Sequence, residues 1–204
     1  MPIYLIRHGE TALNAARVIQ PADTPLSARG RAQAAAVAQR MQAVGLAGIL
    51  SSDLPRARQT AQAIADATGL AVIEDATLRE RNFGALRGKP IGDLGIDPAA
   101  ILDAPPDGES QAEFRDRAAR ALAVMIEQRH RIGGPLAVIS HGLVIRAVVE
   151  ELAPRAPDTQ VPRHLANTAV TILAAEAPHT VSLAYCEAHL RGLDAGEARA
   201  QGSV

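Results

Sequence analysis

Two histidines occupy matching places in the chain, each followed by a glycine and preceded by a short apolar run. Residues 3–6 end shortly before His8, and residues 136–139 end shortly before His141. If both runs are parallel strands of one sheet, the two imidazoles emerge at the same edge. The glycine that follows, Gly142 in the second case, lets the backbone turn tightly and approach a ligand closely. The spacing therefore predicts a ligand site at this edge.

Arginines accompany these histidines. Arg7 directly precedes His8, and a third apolar run, at residues 47–51, leads into a predicted helix that carries Arg58 near its start. Helix N-termini attract anions, and guanidinium groups bind phosphate oxygens through paired donors. Two imidazoles and two guanidinium groups at one sheet edge indicate a phosphate site.

The elements that must position these residues alternate between strands and helices. Such alternation predicts an α/β fold: a three-layer α/β/α arrangement with a mostly parallel central sheet. A long segment, residues 78–104, has six glycines or prolines and no clear period, which indicates a loop with one short helical piece. The predicted strands are 2–6, 47–51, 70–73, 136–140, 169–174 and 180–185, and the predicted helices are 27–44, 53–68, 110–131 and 142–152.

The composition is that of an ordinary globular protein. The 204 residues carry a formal net charge of −1, which argues against a nucleic-acid-binding protein. No apolar run is long enough to cross a membrane, and the first residues lack a basic leader, so we expect a cytoplasmic protein. We expect one domain over residues 1–192 and a frayed tail over 193–204. The last two predicted strands offer an edge for pairing, which leaves a homodimer as an open expectation.

A metal centre is the alternative interpretation of paired histidines. The chain has no His-x-His or His-x-x-x-His spacing, and nearby arginines would repel a cation, so we expect neither a metal nor another cofactor. The single cysteine, Cys186, excludes an internal disulfide and is expected to be a small, partly buried residue. The remaining histidines have no motif around them and are expected at the surface. They are His130, His164, His179 and His189.

Several blocks of residues resemble the histidine phosphatase superfamily, the phosphoglycerate-mutase-like proteins. They occur in the order typical of that family and together span residues 3 to 175. The blocks are Leu5-Ile6-Arg7-His8-Gly9-Glu10-Thr11 with Asn14, residues 23–30, residues 51–61, residues 78–84, Gly108-Glu109-Ser110 and Ser140-His141-Gly142.

This resemblance implies roles for individual residues. His8 would attack phosphorus and become phosphohistidine, and Glu80 would protonate the leaving oxygen. A surface ion pair would otherwise be the preferred interpretation of Glu80, which lies between two arginines. The resemblance also implies that Arg7, Arg58 and His141 bind the phosphoryl oxygens. It implies three further substrate-binding residues, which are Asn14, Phe83 and Gly142.

Three departures from the mutase pattern favour hydrolysis over mutase activity. The segment between Glu80 and Glu109 is shorter than the mutase insertion, Gln20 stands where a glycine is usual, and Phe83 replaces a tyrosine. A more open site admits water to the phosphohistidine. We therefore expect a metal-independent phosphatase acting on a small phosphomonoester, without nucleic-acid or membrane partners.

Two other functions stay open at this point. One is a phosphoglycerate mutase, and the other is a non-catalytic module that binds a phosphorylated ligand on the same fold. Substrate choice is expected to depend on residues 86–108 and 154–165, because these variable segments contain basic side chains.

Overall fold

The computed structural model describes residues 1–174 and 176–193, which fold around one mixed sheet. Its strands lie in the order β3-β2-β4-β1-β5-β6. The strands are β1 (Ile3–Arg7), β2 (Gly48–Ser51), β3 (Val72–Glu74), β4 (Leu136–Ser140), β5 (Val170–Leu173) and β6 (Val181–Cys186). The α-helices are α1 (Ala12–Ala15), α2 (Ala28–Gln42), α3 (Pro55–Thr68), α4 (Gln111–Ile132) and α5 (Gly142–Arg146).

The predicted α/β class with a mostly parallel sheet is confirmed. Strands β1, β2, β3 and β4 pair in parallel, whereas β5 and β6 run antiparallel at one edge. Strand residues alternate between two cores: Leu5 and Val138 pack with α4 and α5, and Ile6 and Ile139 pack with α2 and α3. Helices therefore cover both faces of the sheet, as the period of two in a strand requires.

The helix boundaries follow local sequence signals. Ser27 caps α2 by accepting a hydrogen bond from the Gly30 N–H, and Ser110 forms a capping box with Glu113 at the start of α4. Gly133 ends α4 in the left-handed conformation, where a side chain is disfavoured. These three signals are readable in the sequence, and the predicted bounds differ from the observed ones by one or two residues.

Three predicted features differ from the structure. Helix α3 begins at Pro55 without a side-chain cap, because its N-cap residue is Leu54, and Asp53 pairs with Arg79. The predicted helix over residues 142–152 continues beyond Arg146 as a π-helix, Ala147–Leu152. The segment expected to hold one short helical piece contains three 3₁₀ turns. These turns are Gly84–Leu86, Ile91–Leu94 and Pro98–Ala100.

The predicted tail falls almost entirely on residues 194–204, which lie outside the described residues. Within 1–174 and 176–193, none of the helices combines the length and apolar character that a membrane span requires.

Candidate active site

His8 follows the last residue of β1, and its side chain is 2% exposed. Its Nδ1 atom lies 2.7 Å from the Gly9 carbonyl oxygen, an acceptor, so the ring proton resides on Nδ1. In the neutral ring the Nε2 lone pair is then free. Burial, followed by the positive charges of Arg56 and Arg7, holds the pKa of His8 well below its ordinary value. The ring is therefore a neutral nitrogen base near pH 7.

The main chain around His8 is fixed by its neighbours. The His8 N–H donates to the Ser140 carbonyl at 3.0 Å, and the Gly9 N–H donates to the Thr60 hydroxyl at 3.0 Å. A Cβ atom at Gly9 would lie 2.5 Å from the Gly30 carbonyl oxygen, which real side chains do not tolerate. Glycine is therefore required at position 9 for α2 to approach this loop.

His141 lies beside His8 and is fully buried. The ring centroids are 5.1 Å apart, because Arg7 and Ser140 are paired in the parallel β1–β4 ladder and each histidine follows its partner residue. Burial is the main reason that the pKa of His141 is well below its ordinary value, and the charge of Arg56 adds to it. The two imidazoles thus converge on one edge of the sheet.

A cavity of about 300 Å³ opens in front of His8. Six of the eight residues predicted for the site line it, and the two that do not are Arg58 and His141. The six are Arg7, His8, Asn14, Glu80, Phe83 and Gly142.

The prediction for Arg58 is wrong about its position. Arg58 is exposed and its guanidinium Nε lies 2.9 Å from the Glu74 carboxylate on β3. Arg56 lines the cavity instead and is 2% exposed. Residues two apart on a helix differ by about 200° around the axis, so only one of these arginines can face the cavity. Arg56 shares the buried face with Thr60, one turn further on.

Two of the arginines that line the cavity, Arg7 and Arg56, keep hydrogen-bonding capacity. The Arg7 Nη1 donates to the Leu165 carbonyl, and the Arg56 Nη1 donates to the Pro21 carbonyl at 3.3 Å. Burial lowers the pKa of Arg56 to about 10, so it stays protonated at neutral pH. Within the described parts of the chain, the Nε atoms of both arginines and Nδ1 of His141 are buried without a partner. Buried donors are almost always satisfied, so the two arginine Nε atoms indicate where ligand oxygens bind.

Glu80 lies in the cavity wall, so the surface ion pair considered for it is wrong. Its Oε1 accepts a hydrogen bond from the Arg81 N–H at 3.0 Å, and its Oε2 accepts one from the Leu143 N–H at 3.2 Å. The second donor belongs to the first turn of α5. A Cβ atom at Gly142 would lie 3.7 Å from both Glu80 Oε2 and Arg7 Nε. Gly142 therefore lies beside the carboxylate and the guanidinium.

Arg117 on α4 was not predicted for the site, yet it holds the Glu80 loop. Its guanidinium forms two hydrogen bonds with the Glu109 carboxylate, at 2.7 and 2.8 Å. It also donates to the carbonyl oxygens of Thr77, Arg79 and Glu80. The Gly108-Glu109-Ser110 block was the only sequence signal that pointed to Glu109. No pattern in the sequence indicated that Glu109 pairs with Arg117, eight residues later.

Both segments expected to govern substrate choice contribute residues to the cavity lining. Arg87 and Ile91 come from residues 86–108, and His164 and Leu165 come from residues 154–165. His164 is exposed, as predicted for a surface residue. Across residues 1–174 and 176–193, histidines, cysteines and carboxylates form no cluster of three suited to a metal ion.

This sheet edge, with a neutral imidazole among guanidinium groups and a carboxylate, defines a phosphoryl-binding class of α/β protein. Residues 3–187 match the Histidine phosphatase superfamily (branch 1). The chain belongs to that family, which confirms the resemblance found in the sequence motifs.

Known relatives carry both mutase and phosphatase names. The chain is 37% identical over 185 residues to a protein of Yersinia enterocolitica named "Probable phosphoglycerate mutase GpmB", covering 84% of this chain and 83% of that protein. A mycobacterial glucosyl-3-phosphoglycerate phosphatase solved with VO3 is 29% identical, with a TM-score of 0.70 over 85% of this chain and 90% of that one. "Mycobacterial hydrolase 1" is 26% identical, with a TM-score of 0.76 over 92% and 99%.

Proposed function

We propose that this protein is a metal-independent phosphatase that hydrolyses a small phosphomonoester through a phosphohistidine on His8. One observation carries the proposal: the Nδ1 proton of His8 is bound by the Gly9 carbonyl, which leaves Nε2 as a free nucleophile beside Arg7 and Arg56. The cations offset the charge of the phosphoryl oxygens, which would otherwise repel an attacking lone pair.

In the first step, Nε2 of His8 attacks phosphorus and the bond from phosphorus to the ester oxygen breaks. Glu80 donates a proton to that oxygen, so an alcohol leaves instead of an alkoxide. The unpartnered Nε atoms of Arg7 and Arg56 hold the phosphoryl oxygens during transfer. His141 supplies a further hydrogen-bonding atom beside them.

In the second step, water attacks the phosphohistidine. Glu80, now a carboxylate, accepts a proton from the water, and the bond between phosphorus and Nε2 breaks to give inorganic phosphate. The free imidazole and the protonated Glu80 are restored, so the cycle closes with one water consumed.

Phosphoglycerate mutase activity is the second candidate, and the name of the Yersinia relatives favours it. The short segment between Glu80 and Glu109 favours hydrolysis, because it leaves water a path to the phosphohistidine. A non-catalytic module for a phosphorylated ligand is the third candidate. The presence of a candidate nucleophile, several arginine cations and a candidate acid in one cavity speaks against it.

Two assays distinguish the three candidates. p-Nitrophenyl phosphate hydrolysis is measured with EDTA present, and interconversion of 3-phosphoglycerate is measured with a bisphosphoglycerate primer. We expect hydrolysis that EDTA does not abolish, together with an acid-labile phosphoryl adduct on His8. Interconversion without hydrolysis would support the mutase, and phosphate binding without either reaction would support the binding module.

A further inference from the structure

A tight turn at Asn167 and Thr168 forms hydrogen bonds with the backbone of His8, the proposed nucleophile. The Thr168 N–H donates to the carbonyl oxygens of Arg7 at 3.1 Å and His8 at 3.3 Å. The Asn167 side chain donates to the same His8 carbonyl at 3.0 Å. The position of His8 relative to the cavity therefore depends on how firmly this turn is held.

Thr168 adopts a backbone conformation that threonine disfavours. Its φ angle is 60°, in the left-handed region, and the residue is fully buried. A β-branched residue there is a genuine outlier, and such strain persists only where surrounding contacts enforce it. The backbone bonds to β1 are one such contact, and the side-chain hydroxyl makes another.

The hydroxyl connects the turn to the C-terminal part of the described chain. Thr168 Oγ1 donates its single proton to the Asn167 carbonyl at 2.7 Å and lies 3.0 Å from His189 Nε2. Because that proton is already used, His189 Nε2 must carry the proton and donate to the hydroxyl.

The other nitrogen of His189 is then an acceptor. Its Nδ1 lies 3.3 Å from the Arg40 guanidinium on α2, which can only donate. Both ring nitrogens are satisfied only in the neutral form. Burial and the charge of Arg40 agree with this, because they lower the pKa of His189 to about 4. His189 was expected at the surface; it is half-buried and bridges two elements.

We propose that His189 is a positioning residue for His8. It links α2, through Arg40, to the strained Thr168 turn and thereby fixes the backbone that presents the nucleophile. The catalytic part of this inference rests on the proposed function, whereas the structural part does not.

The test compares His189→Leu with His179→Leu. His179 is the matched control, since the hydrogen-bonding contact of its ring within residues 1–174 and 176–193 is with the Ala174 carbonyl between β5 and β6. His189→Leu fills a similar volume but removes both ring hydrogen bonds, and His189→Gln restores a donor and an acceptor. Three quantities are measured: kcat and KM for p-nitrophenyl phosphate, the inhibition constant of inorganic phosphate, and hydrogen exchange at the Thr168 amide.

We expect His189→Leu to lower kcat by about tenfold, because small displacements of reacting groups are costly. KM and phosphate inhibition should change by less than about twofold, because the cavity arginines are untouched. The Thr168 amide should exchange faster, and His189→Gln should recover part of both losses. His179→Leu should behave as the unaltered protein.

Equal kcat and equal Thr168 exchange in His189→Leu and His179→Leu would overturn the inference. If His189→Leu does not fold, Arg40→Met removes the other end of the link and is expected to accelerate Thr168 exchange. Unchanged exchange in that variant would also overturn it. If the unaltered protein neither hydrolyses phosphate esters nor forms a phosphoenzyme, the proposed function is refuted. Hydrogen exchange at the Thr168 amide then tests separately whether His189 holds the Thr168 turn in place.

Discussion

The histidine side and the acid side of the cavity are built in different ways. His8 and His141 follow paired strands, and the β1–β4 ladder sets their separation. Glu80 belongs to an irregular segment between β3 and α4. Its position depends on two backbone N–H donors and on Arg117, a side chain from another element.

This contrast separates two ways of making a site. A strand ladder places residues through backbone hydrogen bonds that every residue except proline can form, so the histidines are fixed by the sheet itself. An irregular loop has no such ladder, so particular side chains must satisfy its carbonyl groups. We therefore expect the acid side to be more sensitive to distant substitutions than the histidine side.

The largest effect is expected for the nucleophile. His8→Ala should lower kcat by about 10⁴-fold or more, because the covalent route is lost. Phosphate should still bind, since Arg7 and Arg56 remain. Steady-state kinetics and equilibrium dialysis measure the two quantities, with His130→Ala, an exposed histidine on α4, as the control. Residual turnover within about tenfold of the unaltered protein would mean that another group attacks phosphorus.

The two arginines of α3 give the next largest effect. Arg56→Met should lower kcat/KM for p-nitrophenyl phosphate by about 10²–10³-fold, because a buried cation on the phosphoryl group is lost. Arg58→Met should change it by less than about twofold, because an exposed ion pair contributes little. If the two variants lost activity equally, the assignment of the cavity face of α3 would be wrong.

Substitution of the acid should depend on the leaving group. Glu80→Gln should lower kcat/KM by about 10²-fold for an alkyl phosphate and by much less for p-nitrophenyl phosphate, because nitrophenolate leaves without a proton. The ratio of the two losses is the measured quantity. A ratio near unity would show that Glu80 is not the proton donor.

A substitution outside the cavity that weakens the support of the Glu80 loop should lower kcat by a smaller factor than substitution of Glu80 itself. Arg117→Met removes the donors that hold the Glu80 loop, so kcat should fall by about tenfold, as for groups that orient catalytic residues. Arg115→Met on the same helix is the control, because Arg115 pairs at the surface with Glu151. The loss should be greater for alkyl than for aryl phosphates. Equal losses on both would indicate general destabilisation.

The depressed pKa values of His8 and His141 should affect how the stability of the protein depends on pH. The folded-state pKa values of His8 and His141 are depressed, so below about pH 6.5 the unfolded chain binds protons that the folded one does not. The free energy of unfolding should therefore fall as pH drops, by up to about 1.4 kcal/mol per pH unit for each histidine.

Urea unfolding at several pH values measures this slope. His8→Gln should remove about half of the part due to the two histidines, whereas His130→Gln should leave it unchanged. A slope that His8→Gln does not alter would contradict the depressed pKa.

The sequence by itself determined the fold class and the convergence of the two histidines. Apolar runs that end in His-Gly carry this information, because parallel strands bring their carboxyl ends to one edge whatever the details of packing. The motif blocks added the family and singled out Glu80 as the candidate acid. Neither depends on the exact rotation of a helix or the path of a loop.

The tertiary structure alone decided which arginine enters the cavity and what holds the loops. Arg56 and Arg58 are the same residue type near the start of the same helix, so the sequence does not distinguish them. The start of α3 at Pro55 and the burial of Ala57 and Ile64 set the rotation of the helix, which buries Arg56. The links from Arg117 to Glu80 and from His189 to Thr168 join distant parts of the chain. Such contacts arise when separate elements pack together, so no local pattern in the sequence encodes them.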